Sequence, residues 1–229
     1  MTMQRFIRPC TAVLFDLDGT LLDTAQDMAG ALNDLRAEHG VIPLPFATLR
    51  SQVSHGAAAL VRAGFEQVQG AEFEALRQRF LELYAGRLAT HTRLFPGGEW
   101  LLAQLEAAGL PWGVVTNKPG FLTKPLLLAL GLAERAACVV SGDSLPERKP
   151  HPAPLLHAAA LAGVDPLQCV YVGDAERDIA AGRAAGMLTL VARFGYLAAE
   201  DQPATWGADG EIATLAEVAP WIGLPPASP

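Results

Sequence analysis

Phe15-Asp16-Leu17-Asp18-Gly19-Thr20 decides how the rest of the chain is read. It continues Thr11-Ala-Val-Leu-Phe15, an apolar run with no polar alternation, which predicts a strand buried on both faces. Open parallel sheets place ligands at the carboxyl ends of their strands, where Asp16 and Asp18 then stand. Two residues apart in extended chain, they lean to one side. Carboxylates that close repel unless a proton or cation lies between them, and a hard cation such as Mg²⁺ prefers oxygen ligands. Gly19 lets the chain turn sharply after the pair.

Four more runs of the same kind follow: Trp112-Gly-Val-Val-Thr116, Ala137-Cys-Val-Val-Ser141, Cys169-Val-Tyr-Val-Gly173 and Thr189-Leu-Val-Ala192. Helical patterns near 97–109, 119–131, 152–163, 176–185 and 214–222 separate or follow them. Strands alternating with helices predict an α/β fold, a doubly wound parallel sheet. The interval from Asp18 to Trp112 is far longer than a crossover needs. Leu21–His39, Thr48–Phe65 and Glu72–Leu88 read as helices, so residues 23–92 are expected to form a small α-helical domain inserted after the first strand. Residues 1–22 and 93–229 then make the core, with Glu99–Ala108 returning the chain to the sheet and the proline-rich end from Leu224 to Pro229 frayed.

Composition narrows the class. The 229 residues are 51% hydrophobic and carry a net charge of −7, which argues against disorder and against a nucleic-acid partner. Cys10, Cys138 and Cys169 form no CxxC pair, so neither a disulfide scaffold nor a zinc module is expected. Arg5 and Arg8 precede an apolar run that Asp16 interrupts, which is not a signal peptide, and no apolar stretch is long enough for a membrane span. A cytoplasmic protein, monomeric or weakly dimeric, with no membrane partner is the expectation.

Three further strand ends carry chemistry. In Val172-Gly-Asp-Ala-Glu-Arg-Asp178, Asp174 ends a strand and Asp178 follows one helical turn on; Asp174 could complete a metal site, although aspartates also favour helix starts. In Val115-Thr-Asn-Lys-Pro119, the Thr116 hydroxyl and backbone N–H groups suit phosphate oxygens. In Glu147-Arg-Lys-Pro-His151, Lys149 could offset a phosphoryl charge. A metal, a carboxylate nucleophile and a phosphate cradle would meet in one crevice.

Asp-x-Asp-Gly-Thr, Val-Thr-Asn, Arg-Lys-Pro and Gly-Asp-x-x-x-Asp in that order resemble the haloacid dehalogenase superfamily of phosphatases, over residues 11–210. The chain looks like the phosphoglycolate phosphatase group. Trp112-Gly-Val-Val-Thr-Asn-Lys-Pro119, Arg193-Phe-Gly-Tyr196 and Trp206-Gly-Ala-Asp209 are similar to its branch acting on N-acetylmuramic acid 6-phosphate. The resemblance implies a Rossmann-like core, a helical cap and Mg²⁺-dependent hydrolysis of a small phosphorylated metabolite. It makes Asp16 the nucleophile and a metal ligand, and Asp18 the general acid/base, whose backbone carbonyl also binds the metal. Thr116 would hold the phosphoryl group and Lys149 offset its charge. Asp174 would bind Mg²⁺ directly, with Asp178 supporting the site through water or Lys149. Dehalogenases lack the second aspartate; Asp18 therefore favours phosphoryl transfer, in which a leaving alkoxide needs a proton. Ser54, His55 and Gly56, in Val53-Ser-His-Gly-Ala-Ala58, resemble the loop with which related enzymes read substrate. Asn117 and Arg148 complete the expected substrate contacts, and Lys118 is a further candidate at the site edge.

Rival readings remain. A phospho-receiver signalling module uses the same strand-end groups but is about half this length and has no insert. A catalytically dead binding protein would not need every chemical position filled. A sugar-phosphate mutase of the same fold would carry the same residues.

Overall fold

A computed structural model describes residues 9–227. Arg5, Arg8 and the last two residues of the C-terminal tail lie outside them. In chain order the strands and helices are β1 (Ala12–Phe15), β2 (Leu22–Asp23), α1 (Ala25–Glu38), α2 (Phe46–Leu49), α3 (Gly56–Gly64), α4 (Gly70–Ala85), β3 (Arg93–Leu94), α5 (Gly98–Ala107), β4 (Trp112–Val115), α6 (Gly120–Ala129), β5 (Cys138–Val140), α7 (Ala153–Ala162), β6 (Cys169–Gly173), α8 (Glu176–Ala184), β7 (Leu188–Ala192), β8 (Gly210–Ile212) and α9 (Val218–Trp221).

Six strands form one parallel sheet in the order β5-β4-β1-β6-β7-β8. The chain builds outward from β1 to β4 and β5 on one side, then to β6, β7 and β8 on the other. The switch point therefore lies at β1, between β4 and β6, where ligands bind in such sheets. All four residues of β1 are buried, and they alternate between two cores: Val13 and Phe15 face one with Val114 and Val172, whereas Ala12 and Leu14 face the other with Val115, Val140 and Tyr171. Burying each large side chain contributes about 1.5–3 kcal/mol, so the uninterrupted apolar run is what a doubly covered strand requires.

The long interval is helical, as expected, but it opens and closes on a feature the sequence reading omits. Leu22 and Asp23 pair antiparallel with Leu94 and Arg93, a two-stranded ribbon at both passages of the chain. Between them, Leu32 of α1 meets Gly64 of α3 so closely that a methyl group there would lie 2.8 Å from Leu32 Cδ1. The stretch 48–65 is not one helix. A 3₁₀ segment, Arg50–His55, follows α2, and Gly56 takes φ +76° before α3 begins. The helix expected at 214–222 is a 3₁₀ turn, Leu215–Glu217, running into the short α9. Strand β8 also escaped the sequence reading, because three residues beginning Gly-Glu show no apolar run.

At the chain's return from the helices, the buried Asp27 carboxylate of α1 accepts the backbone N–H groups of His91 (3.0 Å) and Thr92 (2.9 Å) and the Thr92 hydroxyl (2.7 Å). Asp27→Ala leaves these donors without a partner and is expected to cost about 2–4 kcal/mol in urea unfolding. The same substitution at half-exposed Asp34, which pairs with Arg87, should change stability by less than about 1 kcal/mol.

Candidate active site

The carboxyl ends of β1, β4 and β6 present Asp16, Thr116 and Asp174, and the loop after β5 adds Lys149. Lys149 is buried. Its Nζ lies 2.7 Å from Asp16 Oδ1, 2.8 Å from Asp178 Oδ1, and 2.8 Å from both the Val115 carbonyl and the Tyr171 hydroxyl. Asp178 is fixed further by the Ala175 N–H, which donates to Oδ2 at 3.1 Å. Asp178 thus supports Lys149 directly.

Asp16, Asp174 and Asp178 each bring a carboxylate oxygen within 4.8 Å of the others, and all three are buried. The Lys149 ammonium and the nearby Arg177 guanidinium supply two positive charges against three carboxylates. Burial and the charges of Asp16 and Asp178 push the Asp174 carboxyl up to about 7. Burial also raises Asp16, against the pull of Lys149. Burial works to raise Asp178 too, but Lys149 and Arg177 outweigh it and hold that group low. One oxygen of Asp174 accepts the Ser54 hydroxyl (2.6 Å) and the Tyr196 N–H (2.9 Å); the other, Oδ1, is buried with no hydrogen-bond partner. An orphaned carboxylate oxygen in a buried acidic trio fits a hard divalent cation.

The Asp18 carboxylate does not share that trio. It accepts the Thr24 hydroxyl at 2.7 Å and the Lys118 ammonium at 3.0 Å, so the picture of Asp16 and Asp18 straddling one cation with their side chains is corrected. The chain leaves the extended strand between them, and the turn is closed by the Leu21 N–H on the Asp16 carbonyl (3.3 Å) and the Leu22 N–H on the Leu17 carbonyl (2.9 Å). Gly19 has φ +86°, and a Cβ there would lie 2.2 Å from Asp174 Oδ2. Glycine is required both for the turn and for that close approach.

A cavity of about 380 Å³ opens above Asp16, between the helices and the sheet. Ser54, His55, Gly56, Asn117 and Arg148 all line it. The Thr116 hydroxyl accepts the Lys118 N–H at 3.2 Å and keeps its own proton to donate. Asn117 behaves differently from a substrate contact. Its amide donates to the Lys149 carbonyl (3.0 Å) and accepts the Lys149 N–H (3.1 Å), which makes it a strut between two loops. His55 and Arg148 are exposed at the rim. Ser54 spends its hydroxyl on Asp174, while its carbonyl accepts Arg177 at 2.6 Å.

Several contributors have roles that the sequence does not assign. Tyr196 accepts the N–H groups of Thr24 (2.6 Å) and Ala25 (3.0 Å) at the start of α1 and donates to Asp23 (2.7 Å). Arg50 stacks over its ring at 5.0 Å. Lys118 is buried instead of lying at an open edge. Only its position two residues after Thr116 hinted at this.

The family model described as haloacid dehalogenase-like hydrolase matches residues 13–192. The chain belongs to the haloacid dehalogenase-like hydrolases. It is 48% identical over 218 residues to a phosphoglycolate phosphatase of Xanthomonas campestris, covering 95% of this chain and 97% of that one. It is 47% identical over 199 residues to an N-acetylmuramic acid 6-phosphate phosphatase of Pseudomonas aeruginosa, covering 86% and 88%. A crystal structure of a predicted phosphoglycolate phosphatase from Haemophilus somnus superposes with a TM-score of 0.82 at 28% identity, covering 93% of this chain and 97% of that one. This haloacid dehalogenase-like protein is a phosphomonoester hydrolase with a small phosphorylated substrate. Among its described residues no helix is long and apolar enough to cross a membrane.

The raised Asp174 carboxyl sets a pH dependence. Unfolded, the group ionises near 3.8; folded, near 7. Its protonated form is favoured in the fold, so metal-free stability should fall as pH rises from about 4 to 7, by roughly 4 kcal/mol from this group, and then level off. A divalent cation must displace that proton. Added Mg²⁺ should therefore raise Tm more at pH 8 than at pH 5.5, and Gly19→Ala should abolish the Mg²⁺ shift; differential scanning calorimetry reads all three.

Proposed function

We propose that this protein hydrolyses a phosphorylated amino sugar acid of the N-acetylmuramic acid 6-phosphate type, with Asp16 as nucleophile. The observation that carries the substrate is the cavity. Its volume of about 380 Å³ lies within the range of pockets that enclose whole small ligands, and a two-carbon ester would fill little of it. The apolar side chains of Met28, Val53, Leu81 and Leu122 suit a sugar face or acetyl methyl, while His55, Arg77 and Arg148 suit hydroxyl and carboxylate groups. A second reading, 2-phosphoglycolate, is favoured by the name of the relative that is 48% identical.

Asp16 attacks phosphorus; its Oδ–P bond forms as the bond from phosphorus to the leaving oxygen breaks. Asp18 gives its proton to that oxygen. Water then attacks the aspartyl-phosphate, its proton passes to Asp18, and the bond from phosphorus to Asp16 breaks to release phosphate. The Thr116 hydroxyl and the Lys149 ammonium hold the phosphoryl oxygens. Asp16, Asp174, Asp178 and the Asp18 backbone carbonyl would hold Mg²⁺, with Asp178 acting in part through Lys149. The bound ion supplies charge neutralisation to a site crowded with anions. The helices of residues 23–92 act as a cap that excludes water and reads the leaving group through Ser54, His55 and Gly56. We place the protein in the cytoplasm, as a monomer or weak dimer.

Asp16→Asn is expected to lower kcat by on the order of 10³ or more, and the wild type should release free phosphate without a bisphosphate activator, which a mutase would need. Phosphate release should favour N-acetylmuramic acid 6-phosphate over 2-phosphoglycolate by about tenfold or more in kcat/KM. His55→Ala should raise KM for the sugar ester more than for p-nitrophenyl phosphate. The reverse preference would assign the second reading.

A further inference from the structure

The cavity holds a second buried lysine that the steps above leave unused. Lys118, its side chain 4% exposed, places Nζ 3.0 and 3.2 Å from the two oxygens of Asp18 and 2.8 Å from the Tyr84 hydroxyl. The ammonium also lies 4.4 Å from the centre of the Tyr84 ring. An ammonium has three protons, and these contacts account for all of them. On the carboxylate side, Asp18 Oδ1 accepts a second hydrogen bond from the Thr24 hydroxyl at 2.7 Å.

The four groups come from four places in the chain. Asp18 follows β1, Lys118 follows β4, Thr24 starts α1 and Tyr84 lies in the last turn of α4. The sheet supplies the lysine and the helices supply the tyrosine. Tyr84 is fully buried, and burial together with the charges of Asp18 and Asp27 pushes its hydroxyl well above the ordinary range, so it meets Lys118 as a neutral group. A lysine this deeply buried is retained only when it is paired, and its partner here is a carboxylate lining the cavity.

We propose that Lys118 is the positioning residue of the Asp18 carboxylate, and that Tyr84 makes this positioning depend on helix α4 being docked over the site. The inference rests on the reading of Asp18 as the proton donor to the leaving oxygen. Without Lys118 the carboxylate keeps only Thr24 and turns freely on its own side-chain bonds. Displacement of a catalytic group by about 1 Å lowers the rate on the order of 10²-fold. Without the Tyr84 hydroxyl the ammonium loses its only hydrogen bond to the helices, and alignment of the proton donor no longer depends on α4.

The test compares two esters of similar size. Benzyl phosphate leaves as an alkoxide that needs a proton, whereas p-nitrophenyl phosphate leaves as a stable phenolate that does not. The readout is the ratio of their kcat/KM values in the full-length protein with Mg²⁺. Lys118→Met is expected to lower the benzyl-to-nitrophenyl ratio about 10²-fold. Tyr84→Phe keeps the ring and removes one hydrogen bond, so the ratio should fall about 3- to 10-fold. Asp18→Asn is the reference. If it leaves the ratio unchanged, the reading of Asp18 as proton donor fails. If Asp18→Asn lowers the ratio while folded Lys118→Met and Tyr84→Phe keep the wild-type value, the role of Asp18 stands and the positioning inference is overturned. A merely structural lysine would slow both esters equally, which is that second outcome. Should Lys118→Met not fold by circular dichroism, Tyr84→Phe decides alone.

Discussion

Three carboxylates, Asp16, Asp174 and Asp178, are buried within 4.8 Å of one another around one ammonium, that of Lys149. Water would separate such charges; here the fold holds them together. The lysine is held in turn by the Val115 carbonyl and the Tyr171 hydroxyl, so its position is set by β4 and β6 as well as by its own loop. Burial, with the charges of Asp16 and Asp178, raises Asp174 to about 7, and one of its oxygens has no hydrogen-bond partner. Placing an incoming phosphoryl group here would be unfavourable without added positive charge, which is why the site calls for a divalent cation.

The constraint explains several local choices. Gly19 cannot carry a side chain because Asp174 occupies the space. A Cβ on Gly195 would lie 2.3 Å from Asp174 Cβ, so the loop after β7 closes on the same carboxylate. Tyr196, next along that loop, donates its N–H to Asp174 and caps the start of α1 with its hydroxyl. One residue therefore ties the acidic trio to the first helix of the long interval, and Arg50 binds the same loop through the carbonyls of Phe194 (3.0 Å) and Gly195 (2.9 Å). The helices join the sheet through these polar contacts and through one apolar cluster that runs from Leu32, Leu60 and Phe80 to Phe15, Val114 and Leu122.

The two lysines divide the site. Lys149 pairs with Asp16 and Asp178 below the cavity, whereas Lys118 joins Asp18 to Tyr84 across the cavity. Arg148 and His55 stand at the rim, exposed.

Sequence alone determined the sheet and the chemistry at its edge. Short apolar runs without alternation, spaced by helical patterns, read as strands covered on both sides, and Asp-x-Asp-Gly-Thr marks the carboxyl end of the first. The helical interval was legible from its length and its apolar spacing. The two-residue ribbon and β8 were not, because so few residues carry no periodicity. Asp18 and Lys118 show the same divide at the site. That both lie near it follows from their strands, but that they pair, and that Asp18 turns away from the trio, depends on Thr24 and Tyr84, which are 60 residues apart. Side-chain direction and burial come from contacts between elements distant in the chain, and only the tertiary structure decides those.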